Sequence, residues 1–131
     1  MNAVLPDRRA MNVPEAAAAW CALGWQVVPM GPDKRPLSKW KGAASETPTQ
    51  ALARFARLPR GAGLAIALPA GVMVLDVDHR PARGWDGALI LAALIARFGL
   101  PAAPTVETPS GGRHIWLALP VSFRHFPATT R

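Results

Sequence analysis

Two carboxylates one residue apart, Asp76 and Asp78, close the apolar run Val72-Met73-Val74-Leu75-Asp76-Val77-Asp78. On a strand, side chains alternate faces, so Asp76 and Asp78 stand on one side, with Cα atoms roughly 6.5 to 7 Å apart. Two charges that close disfavour each other, and a divalent cation resolves the conflict. Oxygen donors suit Mg²⁺ or Mn²⁺, and a pair of such ions about 3.5 to 4 Å apart serves in-line phosphoryl or nucleotidyl transfer. The same residues also read as a polar turn before His79-Arg80-Pro81, with Asp as a cap. The acidic pair therefore needs partner groups elsewhere in the chain.

Ser110-Gly111-Gly112-Arg113-His114 offers them. Two glycines permit close backbone approach to an anion, and Ser, Arg and His add three phosphate-directed side chains. A Gly-Gly hairpin turn with a core histidine is the plainer reading. A third stretch, from Met30 to Gly42, is a Gly- and Pro-containing loop carrying Lys34, Arg35, Lys39 and Lys41 around Trp40. Cations interleaved with an aromatic ring suit a single strand or a nucleotide, whereas a solvated turn with Trp40 plugging the core is the alternative. His79 follows the acidic pair directly, but alternation turns it away from them, which makes it a surface or turn histidine.

The elements that must position these groups are legible. Residues 1–11 read as a loose leader. A helix spans Pro14 to Leu23, with Glu15 in its first turn and Gly24 as its stop, followed by a strand from Trp25 to Pro29. Thr47, Pro48 and Gln50 form a capping box for a second helix ending before Pro59, with Leu52, Phe55 and Ala56 as its core face and Arg54, Arg57 and Arg60 outside. Gly63 to Leu68 and Val72 to Asp78 are strands whose connector, Pro69-Ala70-Gly71, is short enough for an antiparallel hairpin. A helix from Trp85 or Asp86 to Phe98 is apolar nearly all round and should lie buried against the sheet. Thr105 to Thr108 and Arg113 to Leu119 then flank a turn, and the tail carries the hydrophobic pair Phe123 and Phe126.

With 131 residues, half of them apolar, the chain fits one domain with a true core. Its net charge of +7 favours a polyanionic partner, although twelve of its fifteen cations are Arg and its Ala, Gly and Pro content suggests a GC-rich genome. A single cysteine, Cys21, excludes an internal disulfide and a cysteine zinc cluster. No apolar run approaches the ~20 residues of a membrane span, and Asp7-Arg8-Arg9 interrupts any signal peptide, so a cytoplasmic location is the default.

Taken in order, Gly24-Trp25-x-Val27-x-Pro29, Lys34-x-Pro36 with Trp40, Val74-Leu75-Asp76-Val77-Asp78 and Thr108-Pro109-Ser110-Gly111-Gly112-Arg113-His114 closely resemble the N-terminal bifunctional DNA primase/polymerase (prim-pol) domain of the archaeo-eukaryotic primase superfamily. The likeness runs from about Ala16 to Leu119. It implies an α+β fold: a catalytic core with an antiparallel sheet related to the RNA-recognition motif and packed helices, preceded by a small αβ module, the domain occupying residues 12–131. It implies that Asp76 and Asp78 hold catalytic Mg²⁺ or Mn²⁺ and that His114, with Ser110, Gly111, Gly112 and Arg113, contacts the phosphates of an incoming (d)NTP. Lys34, Arg35, Lys39 and Trp40 are the candidates for the single-stranded DNA template. The implied setting is plasmid, phage or mobile-element replication, with a helicase as a further partner.

The family pattern includes a third acidic motif on a later strand, and no Asp or Glu follows Glu107. The expectation is a domain cut short before that motif, or one that has lost the ligand. Template-directed nucleotidyl transfer is thus set against a catalytically inactive module that binds nucleotide or nucleic acid. A haloacid dehalogenase-type phosphatase also begins with a strand and Asp-x-Asp, but needs Gly-Thr where His79-Arg80 stand.

Overall fold

Asn12 opens the first helix. Its side chain accepts the Glu15 N–H at 2.9 Å while the Glu15 carboxylate accepts the Asn12 N–H, a reciprocal cap that sets α1 at Val13–Ala22. β1 (Gln26–Met30) follows, then α2 (Pro48–Ala56), which carries the expected box between Thr47 and Gln50, and β2 (Gly63–Ala67). The structure, a computed structural model, describes residues 5–120 and Ser122. The Phe123 and Phe126 pair lies outside the described residues.

The chain divides into two units, the boundary falling between Pro69 and Ala70. In the first, β1 and β2 pair antiparallel with Val28 opposite Ala65, and Ala17, Trp20, Val27, Ala51 and Phe55 form the core. Alanines at the helix contact let α1 and α2 approach closely, and Trp20 and Trp25 meet at 5.1 Å between ring centroids. The leader contains one 3-10 turn, Arg8–Ala10, and Leu5 packs on the core. The buried face of α2 is Ala51 and Phe55, whereas Leu52 and Ala56 are exposed. Arg54 is half-buried rather than outside, because it is bound on the core side by Glu46 and the Val27 carbonyl.

The second unit contains β3 (Val72–Val77), β4 (His79–Arg80), β5 (Trp85–Asp86), α3 (Gly87–Phe98), β6 (Thr105–Glu107) and β7 (Arg113–Ala118). β7 is the middle strand of an antiparallel sheet ordered β3-β7-β6, and β4 pairs with β5 in a short ribbon. The expected hairpin between residues 63–68 and 72–78 is therefore not formed. β2 takes β1 as its partner because Leu64 and Ile66 pack on the first unit's core, and β3 takes β7. The described architecture is α+β, helices packed with antiparallel sheets.

α3 does not lie buried. No residue of it is buried, and Leu89 and Phe98 are each 71% exposed. A helix on one face of a narrow sheet turns only one stripe inward. Here the side facing Val77 is Ala88, Leu91, Ala92 and Ile95, which line an open cavity with it, and of these only Leu91 is half-buried.

Candidate active site

The register of β3 against β7 places Asp76 opposite His114. Cross-strand partners project from the same face, and the His114 Nε2 atom lies 3.5 Å from an Asp76 carboxylate oxygen. Val77 and Ile115, on the other face, are buried. Alternation thus gives the sheet one apolar side toward α3 and one side where an exposed carboxylate meets a half-buried imidazole.

Asp78 lies just beyond the end of β3. Its carbonyl accepts the Gly87 N–H at 2.9 Å, and its carboxylate sits 3.3 Å from the Arg80 guanidinium. A Cβ on Gly87 would lie 2.5 Å from that carbonyl, so the start of α3 is pressed against the acidic segment. His79 pairs instead with Asp86, at 3.6 Å, and is exposed as expected.

The loop between β6 and β7 is closed by the Thr108 N–H on the Gly112 carbonyl (2.9 Å) and the Gly111 N–H on the Thr108 carbonyl (3.0 Å). Gly111 has φ 85°, a left-handed conformation that favours glycine. The Ser110 hydroxyl lies 3.1 Å from that of Thr108. Arg113 is not brought to the acidic side. It partners Val77 and lines a 350 Å³ cavity with His79, Asp86 and the inner stripe of α3.

Two exposed carboxylates from one strand end are hard oxygen donors, suited to Mg²⁺ or Mn²⁺. Among the described residues, no group of three or more His, Cys, Asp and Glu side chains could hold a metal. The two carboxylates would supply only part of such an ion's oxygen shell, and each has a neighbour of its own, Arg80 at Asp78 and His114 at Asp76.

In the first unit the candidate strand-binding residues separate into two places. Lys34 and Arg35 occupy the exposed tip of a tight turn, in which Lys34 has φ 62° and Arg35 pairs with Asp33 at 3.9 Å. Lys39 and Trp40 instead line a cavity of 420 Å³. Trp40 is half-buried and outside the core cluster, so it does not plug the core. The groups around it belong to no motif in the sequence. The Arg54 guanidinium binds Glu46 through two bonds, one of 2.7 Å from Nε, and also donates to the Val27 carbonyl at 3.1 Å. The Cys21 thiol donates to the Glu46 carbonyl at 2.8 Å. Burial pushes that thiol up from its ordinary value, the Glu46 charge adds to the effect, and Arg54 partly offsets it. The only sequence signal for this cluster was an arginine next to a core phenylalanine on α2.

No helix among the described residues is long and apolar enough to cross a membrane. No curated protein and no solved structure matches the chain. The family model Prim-Pol, described as bifunctional DNA primase/polymerase, N-terminal, matches residues 16–131 and so takes in both units. With the carboxylate run and the glycine-led histidine on paired strands inside that match, the chain belongs to the bifunctional DNA primase/polymerase N-terminal family.

Proposed function

We propose that this chain catalyses template-directed nucleotidyl transfer from (d)NTPs. The observation that carries the reading is the pairing of Asp76 with His114, 3.5 Å apart, which sets one residue of the acidic motif beside one of the phosphate-directed motif. Family membership implies DNA primase/polymerase activity, and nucleotidyltransferases of this kind generally use divalent metals.

Asp76 and Asp78 are the residues to hold Mg²⁺ or Mn²⁺, which when bound supplies positive charge to a 3′-hydroxyl nucleophile and a pyrophosphate leaving group. His114 presents its imidazole, and Ser110 its hydroxyl, to phosphate oxygens, each fixing the triphosphate by a directed hydrogen bond. The Asp76 carboxylate beside Nε2 orients the ring. Arg113 faces the α3 side and is assigned no phosphate contact. Lys34, Arg35, Lys39 and Trp40 serve the template strand, the cations on phosphate and the ring by stacking.

The test is primer extension and primer synthesis by the full chain with Mg²⁺ or Mn²⁺, comparing the parent with Asp76→Asn and Asp78→Asn. Incorporation should be lost in both variants. Undiminished incorporation in either would refute the assignment. A second reading, a module that binds nucleotide or single strands without catalysis, draws support from the partners each carboxylate already has, Arg80 for Asp78 and His114 for Asp76. Strand binding by the parent chain with no metal-dependent incorporation selects it.

A further inference from the structure

The 420 Å³ cavity of the first unit is built, not left over. One side of it is the loop from Ser38 to Glu46. That loop is tied down by its backbone: the Gln26 side-chain amide donates to the Trp40 carbonyl at 2.6 Å. The tether acts on the backbone and not on the indole, and the ring is half-buried at the cavity wall, with Trp25 also lining it. At the floor, Glu46 and Arg54 neutralise one another through two bonds. Lys39 at the rim is exposed and has no ion-pair partner among the described residues, and the Lys41 ammonium sits 5.6 Å from the Trp40 ring centroid.

These features select a ligand. Indole walls favour a flat, π-bearing group, and an apolar body needs few polar contacts to orient it. The Ser38 and Ser45 hydroxyls, both at the cavity, can donate or accept at such a ring's edge. With the floor charges paired, the uncompensated charge at the opening is positive, which asks for an anionic tail. A volume of 420 Å³ is within the ordinary range for small-molecule sites and exceeds what one base requires.

We propose that this cavity is a nucleobase pocket, taking one base against the Trp40 ring with its phosphate on Lys39. It deepens the template role given to Lys39 and Trp40 above, and it is independent of catalysis by Asp76 and Asp78. The shared chemistry, a phosphorylated base, can arrive as part of a single strand or as a free nucleotide.

Both sources are tested on the full chain in EDTA, which silences metal-dependent nucleotide binding. Fluorescence anisotropy of labelled oligo(dT) reports the strand, and calorimetry with dAMP, dTMP and dATP reports the free nucleotide. Ala44 is an exposed lining residue, so Ala44→Phe fills the cavity without altering charge or core. Trp40→Ala removes the ring while keeping the backbone tether. Each should weaken binding about 5- to 150-fold, the range for losing one stacked base, with Trp40→Phe retaining most of the affinity. Lys39→Gln should reduce the slope of log affinity against log salt by about 0.7, the value for one single-strand phosphate contact. Circular dichroism and the thermal midpoint confirm that each variant is folded.

Losses seen only with oligo(dT) assign the pocket to the strand, and losses with free nucleotides assign it to those. No binding by the parent chain, or binding indifferent to both Ala44→Phe and Trp40→Ala, overturns the proposal. Asp76→Asn/His114→Ala separates the two readings. Pocket binding that survives that double variant stands even where catalysis is refuted, and binding abolished only by it belongs to the other unit.

Discussion

Gly112 and the Val77 carbonyl are in van der Waals contact across the β3–β7 pair: a Cβ placed on Gly112 would come within 2.5 Å of that oxygen and 3.1 Å of the Thr108 hydroxyl. The second glycine of the loop is thus the point where the phosphate-directed turn presses on the acidic strand. Neither neighbour is the loose end of a flexible side chain, so the backbone must yield. Gly112→Ala is expected to cost about 1–3 kcal/mol in urea unfolding and to lower (d)NTP affinity together with stability.

His114→Ala should act differently. The side chain is 40% exposed, so its removal leaves the fold nearly untouched, within about 1 kcal/mol. A lost charge-assisted hydrogen bond of about 1.5–3 kcal/mol corresponds to a roughly 10- to 150-fold rise in the (d)NTP concentration needed for half-maximal incorporation. A steady-state titration of (d)NTP in primer extension measures it. A purely structural histidine would instead lower the unfolding midpoint and leave that concentration unchanged.

Arg54 holds three acceptors, two of them on Glu46 and the third the Val27 carbonyl, with its side chain 32% exposed. Arg54→Ala should destabilise the chain by about 1–2 kcal/mol, a value already reduced for partial solvent screening. Arg57→Ala, at an exposed position, should change stability by less than about 0.5 kcal/mol. Chemical denaturation of both variants checks the contrast.

Burial and the Glu46 charge, partly offset by Arg54, raise the Cys21 thiol above its ordinary value, so the folded chain holds this proton more tightly than the unfolded one. The stability this contributes is complete below the unfolded thiol value of about 8.5 and is lost as pH rises through and beyond it. The unfolding midpoint should therefore fall more steeply above about pH 8.5 in the parent than in Cys21→Ala. Thermal scans between pH 7 and 10 compare them.

Local signals in this sequence carried the local structure. The Thr47/Gln50 box and the stop at Gly24 each resolve within one turn of backbone, and the strand from Val72 and the loop at 108–112 are where alternation and glycine content put them. Partner choice was not readable in the same way. The three-residue connector before Val72 permitted a hairpin, but which strand pairs with which depends on the apolar faces brought from elsewhere. Likewise the period of 2 that puts His114 beside Asp76 sends the adjacent Arg113 to the opposite face, so one motif serves two sides of the sheet. The cavity around Trp40 was invisible because Glu46, Arg54 and Gln26 meet there only after folding.

The strand order β3-β7-β6 also sets a timetable for synthesis. The first unit's ribbon is complete once Ala67 is made, whereas the strand bearing Asp76 has no ladder partner until the ribosome has passed Ala118. For that interval of roughly forty residues, a few seconds at typical elongation rates, a bare β-edge with an apolar flank is presented to the cell. Slowing the emergence of residues 78–113 from the ribosome should accordingly raise aggregation of the nascent chain, while the same delay in the emergence of residues before 60 should not.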